Sequence, residues 1–291
     1  MNNPDLTLDT RILEQWIGKE ESRIDKADCK SVNQLQATLD QQIPEFQDGD
    51  ELPLSWHWMY FNPAVAASGL GRDGHPAVGG FLPPVALPRR MWAGTRITAH
   101  SPIIIGETLE RRSTIKSVVS KSGGSGQLCF VTVSHEISAR DSGTLRLVDE
   151  HDIVYRDDDK PGQPKKSPPP APEDSDAHLE IRPNSTMLFR YSAVTFNGHR
   201  IHYDLDYCRD VEGYPGLVVH GPLIATWILE LARNHLSGSG KNIAAFSFRA
   251  VSPLFQDRPF SVHLKSTDSG LDLWAANADG ELATQCQATL A

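Results

Sequence analysis

Short apolar runs separated by glycine-bearing turns dominate the hydrophobic pattern in both halves of the chain. The runs are 128–133 and 145–155 in the first half and 271–276 and 282–290 in the second, with turns at 123–126, 140–143, 268–270 and 279–280. Glycine turns between β-rich runs are hairpin signals. The pattern therefore predicts an antiparallel meander at the end of each half.

A helical pattern is predicted ahead of each meander. Apolar residues over 223–233 follow the spacing of one helix face, and Pro222 suits the first helical turn. The equivalent segment of the first half is 84–94, a poorer helix because of its prolines, whereas 187–194 is predicted to be a strand. One helix followed by a meander, occurring twice, predicts two related α+β domains packed as an internal pseudo-dimer.

A charged, proline-rich segment over 157–174 lacks apolar periodicity. Proline fixes φ and removes a hydrogen-bond donor, so this segment is not the interior of a helix or strand. It divides the chain into an N-terminal domain over 1–160, a linker over 161–176 and a C-terminal domain over 177–291.

Composition narrows the function classes. Hydrophobic residues make up 39% of the chain, which is enough for a core, and the net charge of −9 disfavours a nucleic-acid partner. No apolar run reaches the ~20 residues of a membrane span, and the first residues lack a secretory pattern, so a cytoplasmic protein is expected. The four cysteines form no Cys-x-x-Cys pair, which indicates neither a metal site nor a disulfide framework.

The densest group of polar residues lies over 195–204 and includes His199 and His202. His220 and Gly221 follow and open the apolar helix. The first N–H groups of a helix have no intrahelical acceptor and lie at the positive end of its dipole. An N–H there can stabilise an oxyanion, and a loop histidine facing it can activate water.

The sequence Asn-Gly-His-Arg-Ile-His-Tyr-Asp at 197–204, with His-Gly at 220–221, resembles the (R)-specific enoyl-CoA hydratase motif of MaoC-like dehydratases. That motif reads Asp-x-Asn-Pro-x-His-x-Asp, with Ala/Val-His-Gly before the helix. The Asn-Gly-His form, and first-half blocks at 82–84, 88–94 and 121–126, are similar to the branch related to mitochondrial 3-hydroxyacyl-thioester dehydratase type 2. The resemblance covers about residues 50–291. It implies a double hot-dog fold, in which each of two antiparallel sheets wraps a central helix.

Matched residue by residue, the resemblance implies that His202 is the catalytic histidine and that the Gly221 N–H holds the thioester oxygen. The family aspartate falls on Asn197, and an amide cannot act as an acid or base near pH 7. Asn197 is therefore expected to orient water or substrate. Asp204 either orients His202 or caps the next turn, and His220 is expected to be structural.

Four further residues are candidates for substrate binding. Arg89, Arg90 and Arg249 are candidates for the CoA phosphates or a substrate carboxylate, and His199 either binds substrate or braces the loop. Arg249 is the preferred carboxylate partner because its strand is predicted to cover the helix that begins at Gly221. An arginine can bind a carboxylate through two parallel hydrogen bonds.

The two fused halves and the Arg-Arg-Met-Trp-Ala-Gly block at 89–94 look most like hydratases of itaconyl-CoA and mesaconyl-C4-CoA. The resemblance implies reversible hydration of a short, branched, dicarboxylic enoyl-CoA to citramalyl-CoA, with no metal or other cofactor, in itaconate degradation or carbon fixation. An (R)-specific dehydratase of fatty acyl chains and a non-catalytic acyl-CoA-binding protein are the alternatives.

The first half is expected to have lost catalysis. It has no His-Gly pair before its predicted helix, and no histidine stands five residues after an Asp or Asn in the segment 56–63. A binding role for the first half and one working site per chain follow from this difference. An acyl-CoA thioester is the expected partner, with no nucleic acid or membrane, and a homodimer remains open.

Overall fold

All ten strands that the structure describes form one antiparallel sheet. The computed structural model describes residues 10–41, 44–123, 126–158 and 167–291. The strands are β1 (Glu20–Lys26), β2 (Arg89–Ala99), β3 (Thr108–Gly123), β4 (Gly126–Ala139), β5 (Leu145–Arg156), β6 (Ala177–Ile181), β7 (Ile243–Ala250), β8 (Phe260–Thr267), β9 (Gly270–Asn277) and β10 (Leu282–Leu290). The helices are α1 (Thr10–Glu14), α2 (Cys29–Thr38), α3 (Ser185–Val194) and α4 (Gly221–Leu236). Within these ranges, none of the helices has the length and apolar character needed to cross a bilayer.

The strand order shows that the two halves of the sheet repeat the same arrangement. Outward from the centre, β2, β5, β4, β3 and β1 on one side match β7, β10, β9, β8 and β6 on the other. The two halves join where β2 pairs with β7, from Gly94 opposite Arg249 to Thr98 opposite Ala245. The predicted meanders are confirmed as β3–β4–β5 and β8–β9–β10, although turn residues 124 and 125 lie outside the described residues.

The helix predicted over 84–94 is wrong, because Arg89–Ala99 forms strand β2. Pro84 and Pro88 cannot donate helical hydrogen bonds, and the chain instead pairs on both sides, with β5 and with β7. Gly94 is a close-approach position rather than a helix end, since a Cβ there would overlap the carbonyl oxygen of Phe248. Strand pairing across the centre of the sheet therefore makes residues 89–99 a strand rather than a helix.

The strand predicted over 187–194 is also wrong, because Ser185–Val194 forms helix α3. The side chain of Asn184 accepts a hydrogen bond from the Met187 N–H at 2.9 Å and caps the helix. The buried residues Leu188, Tyr191 and Ser192 follow helical spacing. An apolar run this short does not distinguish helix from strand, and the cap is the stronger signal.

Helix α4 is the centre of the second half. It contacts β6, β8, β9 and β2, and every residue from Leu223 to Glu230 is buried. This confirms the predicted helix and its burial on most sides. Each fully buried Leu- or Ile-sized side chain contributes about 1.5–3 kcal/mol to folding, so α4 anchors the core.

In the first half, a segment with only a short 3-10 turn (Trp56–Met59) packs against α4. The turn and its neighbours contribute the buried residues Leu52, Trp56, Met59, Tyr60 and Phe61. The Trp56 Nε1 donates to the Glu230 carboxylate at 3.0 Å, and Ser55 lies 3.3 Å from the Thr226 hydroxyl. The two halves therefore share one continuous core around α4.

The proline-rich segment is described only in part. Residues 159–166, which include 161–166 of the predicted linker, lie outside the described residues. Beyond them, Ala171 donates to the Gly280 carbonyl at 2.9 Å and Leu282 donates to the Pro169 carbonyl at 2.8 Å. This end of the segment therefore runs beside the turn between β9 and β10.

Candidate active site

A cavity of about 2020 Å³ is lined by residues of both halves. Its lining includes His199, His202, Asn197 and Gly221 from the second half, and Trp58, Arg89, Trp92, Arg111, His135, Asp149 and His151 from the first. The structure thus brings four predicted site residues of the second half to one cavity. Its first-half wall holds polar groups that sequence reasoning did not select.

His202 is positioned by the backbone. It ends a short 3-10 turn (Arg200–His202), is buried, and places Nδ1 2.7 Å from the carbonyl oxygen of Val218. A carbonyl only accepts hydrogen bonds, so Nδ1 carries the ring proton. In the neutral ring, Nε2 is then unprotonated and suited to accept a proton from water.

The surroundings of His202 favour the neutral ring. Burial lowers the pKa of His202 well below its usual value, and the neighbouring His199 lowers it further. The ring stacks on His220 with centroids 3.6 Å apart. His220 lies within hydrogen-bond distance of the Ser192 hydroxyl, 2.8 Å from Nε2, which agrees with the expected structural role. The ring of His202 is therefore buried and oriented, and its surroundings favour the form that can accept a proton.

Gly221 lies at the first turn of α4, with Pro222 beside it. The side chain of the N-cap residue His220 makes no capping bond. A Cβ on Gly221 would lie 2.9 Å from Trp92 Cε3, so the packing of Trp92 requires glycine here. The helix start thus presents its N–H and the positive end of its dipole at the cavity.

Asn197 and His199 shape the loop that carries His202. The Asn197 Oδ1 accepts the His199 N–H at 3.0 Å, which leaves the amide NH₂ as its donor at the cavity. The buried His199 ring lies 4.3 Å from His75 and 5.4 Å from His202, centroid to centroid. These contacts describe a brace between the loop and the first half.

Asp204 serves the following turn. Its Oδ1 accepts the Tyr207 N–H at 2.9 Å, and its Oδ2 pairs with Arg200 at 2.7 Å. Of the two roles considered from the sequence, the geometry supports the cap. The backbone carbonyl of Val218, rather than a carboxylate, therefore orients His202.

The predicted arginines lie in different places. Arg89 is buried at the cavity, with Nε 3.1 Å from Glu212 and 3.2 Å from Asp158. Arg90 donates to the Pro76 carbonyl at 3.1 Å and lies outside the cavity lining. Two carboxylates already neutralise Arg89, and Arg90 holds the 73–76 loop.

Arg249 is on the far face of its strand. Phe248 lines the cavity, while the exposed Arg249 side chain donates to Gln285 Oε1 at 2.7 Å. Successive residues of a strand point to opposite faces, so Arg249 turns away from the cavity. This position corrects the expectation that Arg249 faces the acyl group.

Three potential metal ligands do meet beside the cavity in the described part of the chain. The ligating atoms of Asp73, His75 and His199 lie within 4.8 Å of one another. The Asp73 carboxylate already lies 3.0 Å from His75 Nδ1, and Arg90 Nη2 is 3.5 Å from the same oxygen. This arginine charge opposes a cation, so we assign the group to loop packing.

The first-half wall contains a set of residues that we name the first-half polar cluster: Arg111, Ser113, His135, Asp149 and His151. Asp149 is buried and Arg111, His135 and His151 line the cavity. Strand alternation in the sequence could have revealed this cluster. His135 stands between Val133 and Ile137 on the face of β4 that is otherwise buried and apolar.

Comparisons with known proteins identify relatives of this chain. The family model for hydroxyacyl-thioester dehydratase type 2 matches residues 55–256. The mesaconyl-C(4)-CoA hydratase of Chloroflexus aurantiacus is 44% identical over 278 residues, which cover 94% of this chain and 96% of that protein. The mitochondrial hydroxyacyl-thioester dehydratase type 2 of Schizosaccharomyces pombe is 27% identical over 267 residues, covering 81% and 82%.

Solved structures show the fold. A MaoC-like dehydratase from Phytophthora capsici has a TM-score of 0.68 and 13% identity, covering 97% of each chain. Another MaoC-like dehydratase has a TM-score of 0.68 and 14% identity, covering 95% of this chain and 99% of that one. The fold is therefore the double hot-dog expected from the motif resemblance. It differs from that expectation in two details: the two sheets join into one through β2 and β7, and among the described residues the central helix is α4 of the second half. The family match and the 44% identity lead to one conclusion: this chain belongs to the hydroxyacyl-thioester dehydratase type 2 family.

Proposed function

We propose that this chain is a hydro-lyase that reversibly adds water to mesaconyl-C4-CoA and forms citramalyl-CoA. The observation that carries the proposal is His202, whose Nδ1 is held by the Val218 carbonyl at the cavity that also contains the start of α4. The 44% identical relative carries the name mesaconyl-C(4)-CoA hydratase and supports the choice of substrate.

The chemistry follows from the atoms available. The thioester oxygen lies at the Gly221 N–H, where the helix dipole stabilises negative charge. The His202 Nε2 removes a proton from water as the water oxygen bonds to the β-carbon. The electron pair of the double bond moves toward the thioester and forms an enolate. His202 then delivers its proton to the α-carbon, so one histidine performs both transfers.

Asn197 has the role of a positioning donor or acceptor in this scheme. Its side-chain oxygen already accepts the His199 N–H, so the amide NH₂ is the group available to water or substrate. An amide does not exchange protons near neutral pH. This is consistent with a mechanism in which only His202 changes protonation.

We place catalysis in the second half and substrate binding in both. The first half lacks a His-Gly pair at a helix start, and β2 occupies the segment where that helix was predicted. One CoA ester per chain is the expected stoichiometry in a titration. Two equivalent sites per chain would contradict this assignment of the halves.

The test is a hydration assay with purified wild-type protein. Mesaconyl-C4-CoA, itaconyl-CoA and crotonyl-CoA are supplied separately, and mass spectrometry follows the gain of one water. We expect the highest kcat/KM with mesaconyl-C4-CoA. A clear preference for crotonyl-CoA indicates the fatty-acyl alternative, and binding without turnover of any ester indicates the non-catalytic alternative. Turnover of itaconyl-CoA requires prior migration of its double bond into conjugation.

A further inference from the structure

The first-half polar cluster interrupts an apolar surface. On β3, Arg111 and Ser113 stand between the buried apolar residues Leu109 and Ile115. The cluster continues across the sheet, because Ser113 pairs with His135 on β4 and His135 pairs with Asp149 on β5. The polar residues thus form a stripe across three neighbouring strands on the cavity side.

The corresponding surface of the second half has no such stripe among its described residues. By strand order, β8, β9 and β10 match β3, β4 and β5. Their buried residues carry no charge, and Thr284 is the one with a polar side chain among those described. The others are apolar or small: Phe260, Val262, Leu264, Leu271, Leu273, Trp274, Ala275, Ala276, Ala283, Cys286 and Ala288. The fold is therefore stable with an apolar surface at this place. A stripe of charged and histidine side chains on the sheet of one half indicates a function, because burying such groups is unfavourable without suitable partners.

Asp149 organises the cluster. Its carboxylate lies 2.9 Å from His57 Nε2 and 2.8 Å from His151 Nε2, accepts Trp58 Nε1 at 2.7 Å, and also accepts the Thr95 hydroxyl. Burial opposes its ionisation, but the two histidines outweigh burial and hold the pKa of Asp149 well below its usual range. Asp149 is thus a satisfied anion that orients its neighbours.

Arg111 and His135 keep binding capacity on the cavity side. Arg111 is largely buried, its Nε has no partner among the described residues, and its Nη2 makes only long contacts, 3.4 Å to Phe61 O and 3.7 Å to Glu21. The His135 Nδ1 lies 2.8 Å from the Ser113 hydroxyl. When that hydroxyl donates, the His135 proton is on Nε2, which has no other partner in the part of the chain described.

The cluster adjoins the catalytic groups through Trp92. Trp92 is the residue that a Cβ on Gly221 would touch, and its ring centroid is 6.0 Å from that of His151. The His151 ring in turn lies 4.7 Å from His135. The helix start at Gly221 and the first-half polar cluster therefore both adjoin Trp92 at the same cavity.

We propose that the first-half polar cluster is the subsite for a free carboxylate on the acyl group of the substrate. Arg111 supplies the positive charge, and the Nε2–H of His135 donates to a carboxylate oxygen. His151 is held by Asp149 and forms the wall beside them. This inference rests on the proposed hydratase function and deepens it. It names an acyl-CoA with a second, ionised carboxyl group as the substrate class, and it moves the selectivity function from Arg249 to the first half.

The binding energy of a buried charge explains the expected selectivity. A bound substrate carboxylate offsets the desolvation cost of the buried Arg111 charge. A substrate that carries an alkyl group in place of the carboxylate leaves the polar groups of the subsite unpaired. Neutral acyl chains of the same length are therefore bound less well. The large fraction of Arg111 that is buried matters here, since a solvated arginine discriminates weakly.

The experiment measures binding and turnover in parallel. Succinyl-CoA and butyryl-CoA are four-carbon saturated esters that differ in the terminal carboxylate, and calorimetry gives the Kd of each. Mesaconyl-C4-CoA and crotonyl-CoA give the matching kcat/KM ratio. Arg111→Met keeps the apolar stem and removes the charge. Arg112→Met is the matched control, since Arg112 is the next residue of β3 and is exposed.

Arg111→Met should lower the preference for succinyl-CoA over butyryl-CoA by about 10–100-fold, the effect of losing one charged hydrogen bond. The kcat/KM ratio should fall in parallel, and Arg112→Met should leave both ratios unchanged. His135→Phe, which removes the second donor to the carboxylate, is the further variant if Arg111→Met does not fold. An unchanged preference in folded variants of both positions overturns the subsite. Absence of hydration by the wild type overturns the proposed function alone, because the binding preference is measured independently.

Discussion

The two halves of this chain share one sheet topology, yet they place their polar groups differently. In the second half, His202 and Gly221 lie in a tight loop and at a helix start, over an apolar sheet. In the first half, the polar groups stand on the sheet itself, around Asp149. In the proposed scheme, the second half therefore serves proton transfer and the first half binds charge.

The difference shows which features tolerate change. A helix start and a short loop orient His202 through backbone atoms, so the orientation depends little on neighbouring side chains. The first-half polar cluster depends on side chains that satisfy one another inside the sheet. Damage to the second half should therefore affect turnover, and damage to the first half should affect stability and substrate choice.

The largest effect is expected from His202→Ala. Loss of the general base should lower kcat by about 10²–10⁴-fold, while the melting temperature changes little. The measurement is steady-state hydration of mesaconyl-C4-CoA with thermal unfolding alongside. His100→Ala is a control, since His100 is exposed and its side chain makes no hydrogen bond, ion pair or ring contact with the described residues. Activity within a few-fold of the wild type would remove His202 from the mechanism.

Asp149→Ala tests the first half. Breaking a buried, hydrogen-bonded charge group typically costs about 3–5 kcal/mol of the free energy of unfolding. We expect a loss of this size in denaturant titrations, because His57, His151 and Trp58 lose their common acceptor. Asp141→Ala, in the exposed turn between β4 and β5, should be neutral. A loss below about 1 kcal/mol contradicts the organising role of Asp149.

Acid should destabilise the fold through its buried histidines. Burial lowers the pKa of His135, His199, His202 and His220 well below 6.5. Below pH 6.5 the unfolded chain therefore binds protons that the folded chain does not, so stability falls as pH falls. Each such histidine contributes about 1.4 kcal/mol per pH unit between its two pKa values.

Denaturant titrations between pH 7.5 and pH 5 measure this slope. His202→Phe and His135→Phe should each reduce it, which compares the two halves directly. A free energy of unfolding that stays constant across this range contradicts the neutral state of the buried rings. It would also remove the argument that His202 is an uncharged base at neutral pH.

The smallest effect is expected from Asn197. Asn197→Ala removes an orienting hydrogen bond and should lower kcat by about 3–10-fold, with Asn197→Asp retaining part of the activity. Stopped-flow or steady-state hydration rates measure this change. A pH profile for Asn197→Asp that is identical to the wild-type profile supports positioning without proton transfer. A decrease in kcat as large as that of His202→Ala would instead indicate that Asn197 takes part in the chemical step.

Local signals predicted much of the second-half site. The residues of the motif at 197–204 and of the helix start at 220–221 are close in sequence, and their roles follow from the loop and the helix that they build. The apolar pattern of α4 was sufficient to predict that this helix is buried on most sides. Arg249 was misplaced because alternation separates the two faces of β7 but does not say which face covers α4. Phe246 and Phe248 take the inner face, so Arg249 is exposed.

The first-half cluster could be predicted only in part. Alternation places His135 and His151 on the inner faces of β4 and β5, but it does not say what they face. Trp92 was predicted to lie in a helix, whereas the structure places it on β2, where its ring packs against Gly221. The pairing of β2 with β7 brings these parts together, and no local pattern contains that pairing.

The sequence alone determined the meanders, helix α4, and the family motif around His202, because each depends on residues that are near in the chain. Tertiary structure decided that 84–94 is a strand, that Arg249 turns outward, and that a polar stripe of the first half shares a cavity with the second-half site. Propensity and periodicity report backbone preferences over a few residues. Strand pairing and cavity lining depend on contacts between residues far apart in sequence, whose energies no local pattern contains.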